Sequence, residues 1–345
     1  MIRPAALLAA VLALAAVLAP APPAGAGTVV FKIATLSPEG APWMVHMREG
    51  AAEIARRTSG RVAFKFYPGG VMGNDQSVLR KIRVGQLGGG AVTGGSLSSV
   101  FPDVAVYGIP FLFDSLDEVD YVRRRMDPGI LEGLEQRGFV SFGLAEGGFV
   151  YLMSAAPIRA VADLRRRKVW VPSGDVVSTT VFKALGVTPI PLPLADVLTG
   201  LETGLVDTVA TSPIGAIALQ WHTRIRYLTD IPLSYVYGLL VVDRRLFSRL
   251  SPADQAVVRE VMSRVFRELD RQNRDENRKA LEALRRQGIT FVEAPPEEVA
   301  ELKRIAAGAV DDLAGKGVYR PATLAALRTH LAEYRRRAAA ARGGP

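Results

Sequence analysis

The sequence predicts an α/β protein, and three observations support this fold class. Short apolar strand candidates alternate with amphipathic helix candidates through the first half of the chain, which indicates a mostly parallel sheet covered by helices. A second series of the same kind begins near Phe149. From Ser251 onward the pattern becomes helical, and one helix candidate is long enough to cross both α/β units.

The first α/β unit contains three strand candidates and two helix candidates. The strands are expected at residues 29–34, 62–67 and 88–93, and the first helix at residues 42–57. Asn74 has the side chain of a helix N-cap, so the second helix should begin there and stop at Gly85.

The second unit repeats this alternation. Strands are expected at residues 149–153, 168–171, 206–210 and 235–242, and a helix at residues 195–203. Asp175 can cap a further helix that runs to Leu185, where Gly186 would end it.

The C-terminal part begins with a strong helix-start pattern at Ser251-Pro252-Ala253-Asp254. The helix is expected to continue to Arg286, which gives about 36 residues and about 54 Å at 1.5 Å per residue. A strand at residues 289–292 and two more helices follow. Because no repeat or low-complexity linker separates the two units, several crossovers between them are expected.

The N-terminus has the pattern of a cleaved signal peptide. Arg3 precedes an apolar run at residues 5–18, and Ala24-Gly25-Ala26 supplies small residues for cleavage, so the mature chain should begin near Gly27. The run is shorter than the roughly 20 residues that span a bilayer, and we expect no membrane insertion after cleavage. The sequence has no Cys, which excludes disulfides and a lipid anchor on Cys.

The composition describes a globular chain of one large domain or two ordinary ones. Of the 345 residues, 49% are hydrophobic and 22% are charged, and the net charge is +9. The arginine runs at residues 165–167 and 335–337 are interleaved with acids on helical stretches, which is typical of solvated faces. No nucleic-acid partner is therefore expected.

The residue patterns of the common enzyme classes are missing from the sequence. His46, His222 and His330 are too far apart for a metal-ligand spacing. There is no Gly-x-Ser-x-Gly elbow, no phosphate-binding Gly-Lys-Ser/Thr loop and no dinucleotide-binding glycine motif. The sequence thus predicts no catalytic residue, no metal and no cofactor, although catalysis is unsupported rather than disproved.

A series of motifs in residues 31–288 resembles the DctP-type extracytoplasmic solute receptors of tripartite ATP-independent periplasmic (TRAP) transporters. Each motif is weak alone, but their order and spacing together are specific. They are Tyr67-Pro68-Gly69-Gly70-Val71-Met72-Gly73-Asn74-Asp75, Ile109-Pro110-Phe111-Leu112-Phe113, Pro157-Ile158 with Asp163-Leu164, Ala184-Leu185-Gly186-Val187-Thr188-Pro189, Leu201-Glu202-Thr203-Gly204-Leu205-Val206-Asp207 and Ser251-Pro252-Ala253-Asp254-Gln255.

The resemblance implies a two-lobed periplasmic-binding-protein-like fold with crossover strands and a long lobe-spanning helix. After a signal peptide at residues 1–26, the first lobe would contain residues 27–148 and part of 235–320. The second lobe would contain residues 149–234 and the C-terminal helical elements. The implied function is a periplasmic receptor that closes on a small organic molecule and delivers it to the permease subunits of a TRAP transporter.

The sequence departs from the family where a carboxylate is usually bound. Trp170 stands where the resemblance implies an arginine in Lys-x-Arg-Val-Pro, and Val150 stands where a second arginine follows Gly-Phe. An arginine fork matches a carboxylate bidentately, so the usual role is not carried over. The pattern favours a less polar, aromatic or branched ligand, or a carboxylate that is held differently.

Nine residues are the candidates for lining the ligand site. Trp170 would be either a stacking surface or a core residue, and Asp175 either a ligand contact or only an N-cap. Glu146, which has no arginine partner in the sequence pattern, would receive an amine or cation, or lie at a surface hinge. Trp221 and Tyr237 would add aromatic surface or pack in the core. The nine candidates are Trp43, Ser96, Phe111, Glu146, Trp170, Ser173, Asp175, Thr211 and Ser212.

Two other functions remain open from the sequence. The same binding fold could serve another transporter class or a sensory partner, or the chain could be an exported enzyme with a reactive group in its cleft. The absence of Cys and the scarcity of His argue against the enzyme.

Overall fold

The computed structural model describes residues 27–342, and the expected signal peptide and its cleavage site lie outside the described residues. The strands are β1 (Val29–Thr35), β2 (Val62–Tyr67), β3 (Gly89–Thr93), β4 (Phe139–Ser141), β5 (Ala145–Ser154), β6 (Trp170–Pro172), β7 (Ile190–Leu192), β8 (Thr208–Thr211), β9 (Tyr227–Thr229), β10 (Ser234–Asp243) and β11 (Thr290–Val292). The α-helices are α1 (Pro42–Arg57), α2 (Asp75–Arg83), α3 (Leu116–Gln136), α4 (Val161–Leu164), α5 (Val176–Ala184), α6 (Val197–Glu202), α7 (Pro213–Ala218), α8 (Arg244–Phe247), α9 (Pro252–Arg286), α10 (Pro296–Gly315) and α11 (Pro321–Arg342).

One mixed sheet passes through both lobes of the described chain. Its strand order is β11-β9-β5-β10-β3-β1-β2, with β4 beside β10 and β8 beside β5. The strands β1, β2 and β3 are parallel, as the alternation of strands and helices predicts. The strands β6 and β7 form a parallel pair, which a bridge between Val169 and Thr208 joins to β8. The predicted two-lobed α/β fold is confirmed.

The two ten-residue strands β5 and β10 connect the lobes. One end of β10 pairs with β3 in the first lobe, and the far end of β5 pairs with β8 and β9 in the second. Between the lobes, Val236 pairs with Gly148 but Tyr237 pairs with Glu146, so Gly147 is the extra residue of a β-bulge. Gly148 has φ +93°, a conformation that favours glycine.

The long helix α9 runs along both lobes, from Pro252 to Arg286 as predicted. The Ser251 hydroxyl accepts a hydrogen bond from the Asp254 amide at 3.1 Å and caps its start. Its 35 residues extend about 52 Å. The first half packs on α1, where Val265 approaches Gly50, and Leu284 in the second half lies in the core of the second lobe.

Three clusters of buried apolar side chains form the core. One lies between the first lobe's sheet and the first half of α9, and a second fills the second lobe around Trp221 and Leu228. The third covers the opposite face of the sheet and extends from α3 through the hinge to α5, α10 and α11. Because this third cluster contains residues of both lobes, the lobes share apolar packing as well as strands.

Two elements of the second lobe differ from their expected positions. In place of the helix expected at residues 195–203, the chain forms a 3₁₀ turn followed by α6. The Val206 amide donates a hydrogen bond to the Gly200 carbonyl at 3.1 Å just after α6 ends. The strand expected at residues 206–210 therefore begins only at Thr208. The strand β6 likewise starts at Trp170 rather than at residue 168.

The C-terminal helices contact different lobes. Helix α10 packs against α4 and α5 in the second lobe, whereas α11 packs against α3 in the first. The segment between them is held by Arg320, which donates a hydrogen bond from Nε to the buried Asp103 carboxylate at 2.6 Å. Within residues 27–342, no helix has both the length and the apolar composition required to cross a bilayer.

The end of β3 packs tightly against the crossover strand β10, which allows a test with two adjacent glycines. A Cβ at Gly94 would lie 2.2 Å from the buried Tyr237 ring, whereas a Cβ at Gly95 would meet nothing within 4 Å. We expect Gly94→Ala to lower the free energy of unfolding by about 1–3 kcal/mol through overpacking. Gly95→Ala should change it by less than about 0.5 kcal/mol. Urea unfolding of both variants is the measurement, and equal stabilities would contradict this packing.

Candidate functional site

The strand register brings the carboxyl ends of strands from both lobes to one cleft. In the first lobe, β3 ends beside the bulge, because Thr93 pairs with Gly238 and the Gly94 amide donates to the Tyr237 carbonyl at 2.9 Å. In the second lobe, β8 runs back toward the bulge and its last residue, Thr211, pairs with Tyr151. Because β6 is bridged in parallel to β8, it ends on the same side. Ligands of α/β sheets bind at such strand ends.

In the first lobe, Ser96 follows the end of β3, and Trp43 lies at the start of α1 after β1. The Ser96 hydroxyl donates to the Asp75 carboxylate at 2.7 Å, and Asp75 also accepts from the amide and hydroxyl of Thr93, both at 3.0 Å. Asp75 is 7% exposed. Trp43 is half-buried and packs against the core beside α9.

The second lobe contributes Ser173, Asp175, Thr211 and Ser212. Ser173 follows β6 directly and is exposed. Asp175 caps α5, since its carboxylate accepts hydrogen bonds from the Ser178 amide at 2.9 Å and hydroxyl at 2.7 Å. The Ser212 hydroxyl caps α7 in the same way. Thr211 is half-buried at the end of β8. These four predicted residues therefore share the second lobe's side of the cleft.

Trp170 is a core residue, so the prediction that it stacks on a ligand is wrong. Its side chain is 4% exposed, and its ring packs edge-on against Trp221 with centroids 5.1 Å apart. The indole N–H donates to the Leu192 carbonyl at 3.0 Å. The ring and the N–H group of the indole therefore both make their contacts within the second lobe. Trp221 is likewise a core residue.

Phe111 does not lie at a strand end, which corrects its prediction as a cleft residue. It lines a small apolar cavity together with Leu152, Ile158 and Leu302. Its amide donates to the Leu233 carbonyl at 2.6 Å, and its φ of +57° is held by this contact. Phe111 therefore belongs to the shared core behind the hinge.

Glu146 is neither on the surface nor without an arginine partner, so both alternatives for it are wrong. The residue is 1% exposed, and its Oε2 accepts hydrogen bonds from Arg274 Nε at 2.8 Å and Nη2 at 2.7 Å. The Tyr235 hydroxyl donates to the same oxygen at 3.1 Å. Arg274 thus occupies the position that an amine or cation would have taken.

A cluster of charges surrounds this ion pair where α3, β5 and α9 meet. Arg274 also binds Asp120, at 2.6 and 2.9 Å, and Arg123 binds Asp127 and Asp270, each at 3.1 Å. Burial raises the pKa of Glu146, of Asp127 and of Asp270, because a carboxylate loses its hydration there. The hydrogen bonds from Arg274 instead lower the pKa of Asp120.

Two tyrosines lie near the cleft. The sequence left open whether Tyr237 adds aromatic surface or packs in the core, and the structure places it in the core; Tyr319 was not identified from the sequence. Tyr237 packs against Gly94, as described above. Tyr319, between α10 and α11, is fully buried, and its hydroxyl has no hydrogen-bond partner among the described residues. Burial is the main cause that raises the pKa of Tyr319, and the negative charge of Asp175 raises it further. The two side chains are therefore close to each other. No local pattern in the sequence connects residues so far apart.

The charged groups do not form an evident metal site. Among residues 27–342, no three His, Asp or Glu side chains converge on a point where a metal ion could bind. The polar groups of the cleft are hydroxyls, backbone amides and carboxylates, which can hydrogen-bond a small polar molecule.

A two-lobed α/β fold whose strand ends meet at a cleft defines the class of hinged solute-binding proteins. Residues 33–316 match the family described as bacterial extracellular solute-binding protein, family 7 (DctP). Because the match covers well over half of the chain, this chain belongs to that family, as the resemblance indicated.

Individual relatives have a similar fold or a similar sequence. The TRAP periplasmic solute-binding protein of Desulfovibrio salexigens, solved with bound orotic acid, has a TM-score of 0.81 over 89% of this chain and 99% of that one, at 19% identity. The C4-dicarboxylate-binding periplasmic protein DctP of Rhodobacter capsulatus is 26% identical over 83% of this chain and 87% of its own. The protein YiiZ of Salmonella typhimurium is 27% identical over 60% of this chain, and the match spans 64% of YiiZ.

Burial of Glu146 predicts a specific pH dependence of stability. Its raised pKa means that the folded state favours the protonated form, so its stabilising contribution is complete below the unfolded-state pKa of about 4.3 and is lost as the pH rises through the folded pKa. We therefore expect the free energy of unfolding of the wild type to fall relative to that of Glu146→Gln as the pH rises. Chemical denaturation between pH 4 and pH 7 measures this difference.

The same substitution at Glu39 is the control. Hydrogen bonds from Arg48 lower the pKa of Glu39, so the wild-type advantage over Glu39→Gln should grow as the pH rises from low values, with the opposite sign. If the Glu146→Gln difference also grew with pH, the ion pair with Arg274 would outweigh burial.

Proposed function

We propose that this chain is a TRAP-type periplasmic solute receptor without catalytic activity, which captures a small organic molecule and delivers it to a membrane permease. The observation that carries the proposal is the meeting of strand ends from both lobes beside the β5–β10 bulge. Membership of a solute-binding family and the named ligands of two relatives, orotic acid and a C4-dicarboxylate, support it.

Binding would occur by closure of the lobes about the bulge. Each lobe contributes hydroxyl and carboxylate groups on its own side, so neither lobe alone surrounds a ligand. A ligand that contacts both sides stabilises the closed arrangement relative to the open one. The bulge at Gly147 marks the place where the crossover strand β5 bends between the lobes, and Gly148 has a positive φ that glycine adopts readily.

The proposed lobes follow the packing. The first lobe contains residues 27–148, the returning half of β10 and the first half of α9, and the second contains residues 149–234 with the strand β11 and helix α10. We assign α11 to the first lobe because it packs on α3. Ligand contacts are proposed at Trp43, Ser96, Ser173, Asp175, Thr211 and Ser212.

The proposed location and partner come from the family. DctP-family receptors are periplasmic, and the predicted cleavage near Ala26 would release the mature chain there. The partner is proposed to be the permease of a TRAP transporter, which would recognise the closed receptor.

The experiment is a ligand screen by thermal shift on the mature chain from Gly27, followed by small-angle scattering with each hit. A ligand at about 100 times its Kd adds about 2.7 kcal/mol to the stability of the folded state, which raises Tm by several degrees. Closure should also reduce the radius of gyration. A hit that leaves the radius of gyration unchanged would contradict the clamp.

Two variants locate the binding site. Ser173→Tyr places a large side chain at the exposed end of β6 and should weaken binding at least tenfold by filling the cleft. Ser248→Tyr adds the same ring at an exposed serine beyond the opposite end of β10 and should leave affinity unchanged. Equal affinities of the two variants would place the ligand elsewhere.

A further inference from the structure

Two apolar side chains beside α2 are the most exposed large apolar groups within residues 27–342. Val71 and Val84 are 72% and 70% exposed, and both line one surface groove of about 380 Å³ together with Met72. Leu36, which is also exposed, lies over Gly70 next to this groove. Single exposed apolar residues are common on monomers, but contiguous ones mark interaction surfaces. The groove, which we call the α2 groove, therefore has the character of a binding surface.

The rim of the α2 groove is basic. Arg80 and Lys81 line the groove, and Arg83 lies in the same last turn of α2. None of these three side chains forms an ion pair with another described residue. In the preceding helix α1, by contrast, Arg48 and Arg57 are each paired with a glutamate. The basic charge beside α2 is therefore free to pair with a partner.

No group of the first lobe neutralises these charges. Arg80 donates to the Ser77 hydroxyl at 2.9 Å and Lys81 to the Met72 carbonyl at 2.8 Å, and neither acceptor is charged. Asp75 is the only acid in residues 61–98, and its buried carboxylate accepts hydrogen bonds from the end of β3 and the loop after it. A helix C-terminus adds only about half a negative charge. Three positive charges exceed these two terms, so the groove stays positive.

The shape and charge of the α2 groove distinguish between possible occupants. A concave apolar surface accepts a protruding side chain, and a lipid bilayer presents none. In a twofold dimer the same patch faces its own copy, so that the basic rims would repel each other. A protein segment with acidic residues around an apolar side chain matches both the apolar floor and the basic rim.

The α2 groove lies at the rim of the ligand cleft. Residues 71–73 belong to the loop after β2, and the parallel strands β1, β2 and β3 end at the same edge of the sheet. A protein bound in the groove is therefore next to the mouth of the cleft. A permease that receives the ligand must lie at this mouth.

We propose that the α2 groove is a docking site for an acidic segment of the permease that carries an apolar side chain. This inference rests on the proposed function and specifies the surface through which the receptor meets its partner. The apolar side chain lies between Val71 and Val84, and the acidic residues beside it pair with the three basic side chains of α2. Charge pairs of this kind speed association and lose strength as salt is added.

The first test uses the peptide Ac-Glu-Glu-Leu-Glu-Glu-NH2 as a probe of the groove. NMR titration of the mature chain should shift the amide signals of residues 71–73 and 80–84. Replacing the four glutamates of the peptide with glutamine, or its leucine with serine, should weaken binding about tenfold. Shifts confined to other surfaces, or equal affinity of the glutamine peptide, would overturn the inference.

Substitutions in the receptor separate the charges of the groove from the positive charge of the whole chain. Arg80→Gln with Arg83→Gln should weaken binding of the acidic peptide about tenfold and reduce its dependence on salt. The matched control is Arg285→Gln with Arg286→Gln, which removes two arginines from the last turn of α9. These two precede β11, at the end of the second lobe opposite to the cleft, and so this control should bind like the wild type.

The second test uses the cognate permease subunits reconstituted in nanodiscs. With a hit of the thermal-shift screen bound, Val84→Ser should lower the affinity of the receptor for the permease about tenfold. Leu205→Ser is the control, because Leu205 is an exposed leucine before β8, away from the cleft. Neither substitution should change the Kd of the small ligand, since neither residue lies in the cleft.

The outcomes separate the docking site from the receptor function. A permease that binds the Val84→Ser and Arg80→Gln/Arg83→Gln variants as tightly as the wild type overturns the docking site and leaves the receptor standing. Binding to phosphatidylglycerol vesicles, or dimerisation in sedimentation velocity, that the arginine variant loses would assign the groove to lipid or to a second copy and overturn the protein partner. Failure of the whole ligand screen contradicts the receptor function itself.

Discussion

The pairing of β5 with β10 across the bulge is the interaction on which the rest of the molecule depends. Helix α9 holds the bulge in place, because Asn273 and Asn277 donate side-chain hydrogen bonds to the carbonyls of Glu146 and Gly147 at 2.5 and 3.0 Å. Asp270 accepts from the Glu146 amide at 2.6 Å. The backbone groups that the bulge leaves without strand partners are thus satisfied by one face of α9. The bulge is thereby fixed between the two lobes by strand pairing on its edges and by α9 on one face.

The charges around the bulge have a structural role rather than a ligand-binding one. Four buried or half-buried carboxylates share two arginines there, and Glu146 Oε1 has no hydrogen-bond partner among the described residues. Removing one partner from such a cluster leaves a buried charge without an opposite charge, and the loss of stability exceeds the net contribution of the pair. The arrangement therefore penalises changes at the hinge strongly.

The sequence predicts the parts of the fold that local chemistry controls. The caps at Ser251 and Asp175 gave the starts of α9 and α5, and the motif order gave the family. The sequence does not reveal which way a side chain of a short strand points. Trp170 faces the core because Trp221 packs against it, and Glu146 is paired because α9 returns Arg274 to it more than a hundred residues later. Both facts depend on tertiary contacts between distant segments, so local periodicity carries no information about them. The cleft loops could be predicted in part. The sequence identifies their residues, but only the strand register shows that the loops of the two lobes face one another.

The return of α11 to the first lobe has a consequence for how the chain folds. The strand β3 ends at Thr93, but its neighbour β10 begins only at Ser234, and α11, which packs on α3, begins only at Pro321. An incomplete chain therefore lacks the second neighbour of β3 and the helix that packs on α3 until these two segments have been made. Contacts of such long sequence separation slow folding, which leaves the polypeptide unfolded for longer after synthesis begins. A chain with this order of elements cannot complete the packing of its first lobe before residues 321–342 have been made.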